Sequence, residues 1–310
     1  MIKNYVRYIV LMMLLTTYKP SFAMHTKLVQ YLVGSTLISG VGYGVGKVAA
    51  KCDEYKREDA PENVQKWARK ILAEKDIKNA DSVPLKLGDG WRVAGGSFIQ
   101  IDKEEAYSLE KCLVKKWPTQ NDSKEKVLAE ESLLHEGKHY NNGDFSKGYI
   151  LLGLTYAPVF QALVNSNKRL TIPMVAFSAG SLLTYTRYQE VEADRFAFMN
   201  LSSIEKLEIS KANRLRQAEI FENNLLTNPL RSKNNRLENI VRPMLSKKLH
   251  SLNQKALESS HDQNEKKRID TQKKRLIKLA DFIFDPKHPD FRRQVAIAQE
   301  CLDKRKAERK

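Results

Sequence analysis

Leu133-Leu134-His135-Glu136-Gly137-Lys138-His139 is the stretch on which the reading of this sequence turns. It has the form H-E-x-x-H. On a helix, residues four apart lie one above the other on the same face, so His135 and His139 aim two imidazoles at one point. Glu136 is rotated away from them by about 100°. Two ring nitrogens and a neighbouring carboxylate suit a zinc ion with a water beside it, the carboxylate taking the proton of that water. The plain alternative is two surface histidines on an amphipathic helix. The chain has only six histidines, so the pairing does not come from a His-rich background.

The flanks of the motif predict the helix it needs. Asn121-Asp122-Ser123 offers helix-starting residues, and Asp122 with Glu125 makes a capping-box-like pair. Val127, Leu128, Leu133 and Leu134 supply apolar contacts, and Asn141-Asn142-Gly143-Asp144 is a stop signal.

Two histidines leave a zinc site one protein ligand short, with a further position open for water. Cysteine does not fill the gap. Cys52, Cys112 and Cys301 are scattered and form neither a C-x-x-C pair nor a disulfide framework. Arg187-Tyr188-Gln189-Glu190-Val191-Glu192-Ala193-Asp194-Arg195-Phe196-Ala197 offers a carboxylate instead. Glu190 and Asp194 are four apart and share a helix face. Glu190 is the candidate ligand, and Asp194, one turn on, is placed to hydrogen-bond and orient a ligand histidine. Glu192 points elsewhere and is expected to be solvated.

Working outward, residues 1–23 read as an export signal. Lys3 and Arg7 precede an apolar run from Tyr8 to Thr17, and Ser21-Phe22-Ala23 presents small residues for cleavage. An uncleaved anchor is the alternative. Residues 24–58 are glycine-rich and apolar. Leu28 to Gly46 carries no charge over about 19 residues, just enough for a membrane helix; a glycine-rich buried or membrane-inserting hairpin fits as well. Gly42 and Gly46 are spaced for close helix packing, with Gly34, Gly40 and Gly44 adding small-residue surface. Lys47, Lys51, Lys56 and Arg57 follow, suited to lipid headgroups. Val64, Trp67, Ala68 and Ile71 recur at helical spacing between Pro61 and Lys75. Gly88-Asp89-Gly90 marks a turn, and Trp91 to Asp102 reads as strand broken at Gly95-Gly96. That strand is an ordinary hairpin or an edge that holds an extended substrate through main-chain hydrogen bonds. Gly148–Asn167 and Thr171–Thr186 are uncharged and joined by Lys168-Arg169. They predict a membrane hairpin or a pair of buried or interfacial helices.

Beyond residue 200 the chain is charged and helical. Ile269, Leu276, Leu279 and Ile283 form an apolar stripe in a segment that also carries Lys266, Lys267, Arg268, Lys273, Lys274, Arg275 and Lys278. This is a solvated basic face or a surface for anionic lipid. The net charge of +16 favours anionic partners in general. No nucleic-acid module signature appears and no aromatics interleave the basic run, so nucleic acid is not an expected partner.

H-E-x-x-H, two apolar segments and then E-x-E-A-D-R-x-A together resemble the HtpX-type zinc metallopeptidases. These belong to a gluzincin family that also includes CAAX prenyl endopeptidases, mitochondrial Oma-type proteases and periplasmic BepA-type proteases. The resemblance spans about residues 60–300. It implies a mainly α, zincin-like fold with a small β-sheet (α+β) and one Zn2+ per chain held by His135, His139 and Glu190. Glu136 would be the catalytic base and Asp194 the supporting acid. The implied activity is endopeptidase cleavage of a protein or peptide substrate in processing or quality control. The alternative is an inactive, membrane-associated adaptor that retains the fold. The chain departs from the family in reading Gly137-Lys138 where H-E-x-G-H is usual. The family's late H-P followed by arginine is matched loosely by His288-Pro289 with Arg292 and Arg293, position 294 being Gln. His288 and Arg293 are therefore candidate substrate or transition-state contacts. The expected layout is a peptidase domain over 59–300 and a basic tail over 301–310. An exported protein, associated with membrane lipid and working on the periplasmic or extracytoplasmic side, is expected.

Overall fold

The computed structural model describes residues 23–115, 119–164, 168–227, 236–258, 263–284 and 290–309, and they are mainly helical with a small sheet. The α+β class expected from the sequence is met at this level. The chain divides into two units, Met1–Glu110 with Glu136–Thr186 and Lys111–His135 with Arg187–Lys310, each taken over its described residues. The span 59–300, expected as one domain, is shared by both. The proposed export signal lies outside the described residues except for Ala23.

In the first unit, helix α1 runs Ala23–Lys56 and α2 Glu62–Glu74. Leu28–Gly46 lies inside α1 as one unbroken helix, which removes the hairpin reading. Its partner is α5, Asp144–Val164. A Cβ at Gly42 would stand 2.8 Å from Tyr149 Cδ1, and one at Gly46 2.7 Å from Phe145 Cζ. On the other helix, a Cβ at Gly153 would overlap Ser39 Oγ. These three glycines let the two helices approach at side-chain contact. Gly40 and Gly44 meet nothing within 4 Å among the described residues. Helix α6, Lys168–Asn200, continues the second apolar stretch straight into the acidic motif. Within the first unit its Ser178 hydroxyl donates to Thr155 O on α5.

Among the described residues no helix is long and apolar enough to cross a membrane. The spans considered for 28–46 and 148–167 are therefore not found; residues 165–167 lie outside the described part. The glycine, serine and threonine that dilute the hydropathy of these helices are in part the residues that make their contacts.

The sheet has order β1-β3-β2, with β1 Leu85–Gly88 parallel and β2 Arg92–Ala94 antiparallel to β3 Phe98–Asp102. Gly95 and Gly96 take φ of 57° and 63°, values costly for residues with a Cβ. The turn is closed by Ser97 N–H donating to Ala94 O at 2.9 Å. The hairpin read over Trp91–Asp102 is present; its first arm, β2, is an edge strand of the sheet, whereas its second arm, β3, is the central strand, buried from Phe98 to Ile101. Gln100 is fully buried there and is satisfied at both ends. Its amide donates to Asp89 O and Gly90 O at 2.7 and 2.9 Å and accepts from Arg92 Nε at 3.0 Å. Helix α3, Lys103–Val114, follows with Asp102 Oδ1 accepting from Glu104 and Glu105 N–H.

The motif helix is α4, Gln120–Asn142. Its start is a capping box one turn earlier than read from the sequence. Thr119 Oγ1 accepts from Asp122 N–H at 3.3 Å while Asp122 Oδ2 accepts from Thr119 N–H at 2.7 Å. Lys115, then Thr119 and Cys112, hold the Asp122 carboxyl well below its usual range. Burial, together with Asp122 and Glu125 as acceptors, pushes the Cys112 thiol up to about 12.

The second unit holds α7 Ile204–Thr227, α8 Arg236–Glu258, α9 Gln263–Phe284 and α10 Phe291–Ala307. Leu133, Leu134, Ala193, Phe198, Leu207 and Ile297 are buried in it. Leu225, Leu245, Leu249 and Ala280 form a further core cluster, with Leu276 and Ile277 packed against it. Of the stripe read on α9, Ile269 is buried and Leu279 is exposed. Residues 301–307, read as the start of a basic tail, continue α10, whose Cys301 and Leu302 are buried.

Gly137 has a packing role in the first unit. A Cβ there would lie 2.8 Å from Leu72 Cδ2, with Ile77 Cγ1 at 3.6 Å. This glycine is the point at which α2 presses on α4. Gly137→Val is expected to destabilise the protein by about 1–3 kcal/mol through overpacking. Urea unfolding checks this; an unchanged midpoint would contradict the packing assignment.

Candidate metal centre

Helix α4 carries His135, Glu136 and His139, and α6 carries Glu190 and Asp194. His135, Glu190 and Asp194 belong to the second unit. On α6, Ala193 and Ala197 are buried beside Asp194.

A carboxylate oxygen only accepts, so the 2.9 Å contact between His135 Nδ1 and Asp194 Oδ1 places the imidazole proton on Nδ1. Nε2 is then left with its lone pair. Glu190 Oε2 stands 3.1 Å from it. Two lone pairs facing each other at this distance need a proton or a cation between them. Ligand atoms about 2.0–2.1 Å from a tetrahedral zinc are separated by about 3.3 Å, so the contact fits a shared metal.

His139 lies one turn further along α4, and its Nδ1 donates to Asp144 Oδ2 at 2.8 Å. One ligand atom from each of His135, His139 and Glu190 falls within 4.8 Å of the other two. The three can hold a metal ion. Their side chains are only 13–14% exposed, so water competes little for the donors. Glu136, next to His135, is partly buried. Among the described residues its carboxylate has no hydrogen-bond or ion-pair partner, which leaves it available to a proton.

Behind the histidine lies a run of charge in the second unit. Asp194 is 3% exposed, and its Oδ2 is buried without a hydrogen-bond partner among the described residues. Arg214 on α7 donates through Nε to the buried Glu131 at 2.8 Å. Burial opposes the Arg214 charge, but Glu131 and Asp194 together hold its pKa above the ordinary value. Arg214 thus balances two buried carboxylates, one of them the support of His135. Glu131 also accepts from the Ser210 hydroxyl, and its neighbour Glu130 takes Lys206 at 2.6 Å.

Of the residues singled out in the sequence, His135, His139, Glu190 and Asp194 are brought together. Glu192 instead pairs with Arg195 at 3.0 Å. Arg293 is exposed on the first turn of α10, where its N–H donates to Asp290 Oδ1 at 2.7 Å. Among the described residues its side chain makes no hydrogen bond or ion pair with the histidine–carboxylate group. His288 lies outside the described residues. Sequence reasoning missed Asp144, read only as part of a helix stop. It also missed the Glu131–Arg214 pair, whose members are far apart in the chain and carry no motif.

Comparison of the chain with protein-family models, curated proteins and solved structures finds no match.

Removing the Arg214 charge leaves the buried Glu131 and Asp194 without that positive charge, Glu131 keeping only the Ser210 hydroxyl and Asp194 the His135 N–H among the described residues. Arg214→Met is expected to cost about 3 kcal/mol, near the low end for a broken buried pair because Arg214 keeps 21% exposure. Chemical denaturation reads the loss; a change below about 1 kcal/mol would show that the pair is not needed.

Proposed function

We propose that the chain is a zinc-dependent metalloendopeptidase of the kind its two motifs resemble. The observation that carries the reading is the convergence of His135, His139 and Glu190, with ligand atoms within 4.8 Å of one another, next in sequence to Glu136, whose carboxylate has no hydrogen-bond or ion-pair partner among the described residues. Two imidazoles and one carboxylate are a donor set that zinc takes in catalytic sites with an open position. Zinc bound there would supply Lewis acidity, polarising the scissile carbonyl and making water easier to deprotonate. The protein's own residues do the rest. Asp194 holds His135 in the Nδ1–H tautomer, so that Nε2 is the donor. Glu136 takes the proton of the attacking water and returns it to the leaving amine.

The substrate would be a protein or peptide. Membrane association and action on the extracytoplasmic side are part of the same proposal. They are supported by the signal-like residues 1–23, the net charge of +16 and the exposed Val41, Val45 and Val48 on α1 near Lys47 and Lys51.

Purified protein is expected to hold one zinc per chain and to cleave an unfolded test protein. Glu136→Gln keeps the zinc and loses cleavage by at least about 100-fold, the usual scale for a general base. Zinc content measured together with gel-based cleavage decides it. Absence of stoichiometric zinc would overturn the enzyme reading, and unchanged cleavage by Glu136→Gln would overturn the assignment of the base. A wild-type protein that binds zinc but cleaves nothing would point to the adaptor.

A further inference from the structure

Asp144 stands at a corner that the backbone makes without a linker. Gly143 has φ of 62°, a left-handed value suited to glycine. Its N–H donates to Tyr140 O at 3.2 Å as α4 ends, and its carbonyl accepts from Lys147 N–H at 3.1 Å as α5 begins. Helix α4 thus ends and α5 begins on either side of this single residue. This brings Asp144, five positions after His139, against the last turn of the motif helix. Its Oδ2 takes the Nδ1–H of His139 at 2.8 Å, with the carboxylate 11% exposed and the imidazole 13%.

We infer that Asp144 is the positioning residue of the second histidine: it fixes the His139 ring in the Nδ1–H tautomer and so turns Nε2 into a metal donor. This rests on the metal-site reading proposed above. His135 and His139 are then held alike, each through Nδ1 by a carboxylate, but from different sources. Asp194 comes from the acidic motif on α6, and Asp144 from the corner that ends the motif helix. A carboxylate behind a ligand imidazole also raises its basicity, and loss of such a partner commonly weakens metal binding 10–100-fold. The site therefore depends on the sequence H-E-x-x-H-x-x-x-G-D rather than on H-E-x-x-H alone.

The test compares full-length wild type with Asp144→Ala, Asp144→Ser and Asp144→Asn. The zinc Kd is read by competition with a chromophoric chelator, and the visible spectrum is recorded on the cobalt-loaded protein. Serine suits the start of a helix but is too short to reach the ring, so it guards against a folding failure of the alanine variant. Alanine and serine are expected to raise the zinc Kd about 10–100-fold and to change the cobalt spectrum. Asparagine, whose amide oxygen still accepts, is expected to restore much of both. A purely structural role at the α5 terminus would lower the thermal midpoint of the metal-free protein without moving the Kd. A Kd within twofold of wild type for the serine variant overturns the assignment of Asp144. Failure of the wild type to take up zinc overturns the metal site itself, and this role with it.

Discussion

A buried carboxylate against a ring nitrogen is the interaction on which the site depends. Asp194, 3% exposed, sits 2.9 Å from His135 Nδ1. An ionised group so buried is tolerated only if opposite charge or hydrogen bonding answers it. Here the imidazole N–H answers one oxygen, and the charge of Arg214 lies near enough to be felt. The consequence is a histidine with no freedom in its tautomer. Its Nε2 lone pair faces Glu190, and the shortfall of positive charge at that point is what a metal ion would fill.

The second unit is organised around keeping these charges in place. Glu130 and Glu131 are buried on α4 one turn before His135 and are met from α7 by Lys206, Ser210 and Arg214. Leu133 and Leu134, between those acids and the motif, are fully buried. A helix pinned by apolar contacts and ionic contacts together leaves its histidines little room to move. In the first unit Leu72 meets the helix closely at Gly137.

Much of this could be read from the sequence because helical periodicity is local. The H-E-x-x-H face, the E-x-x-x-D face, the Gly95-Gly96 hairpin and the helix stop at Gly143 each depend on neighbours a few residues apart. What escaped depends on long-range pairing or on a change of direction. The central place of β3 follows from its parallel pairing with β1, which no local signal announces. The Arg214–Glu131 pair joins positions 83 residues apart. Asp144 was visible but misread, because its use appears only once Gly143 turns the chain. The apolar stretches were the hardest. At their length hydropathy does not separate a span from a packed helix, and the contact of Gly42 and Gly46 with Phe145 and Tyr149 is a tertiary fact.

The central claim is a single metal held by two imidazoles and a carboxylate. X-ray absorption at the zinc edge of the loaded protein tests it most directly. The account predicts a first shell of nitrogen and oxygen at about 2.0–2.1 Å with the outer-shell scattering of two imidazoles. A shell containing sulfur at about 2.3 Å, or only a hydrated ion without imidazole scattering, would contradict it.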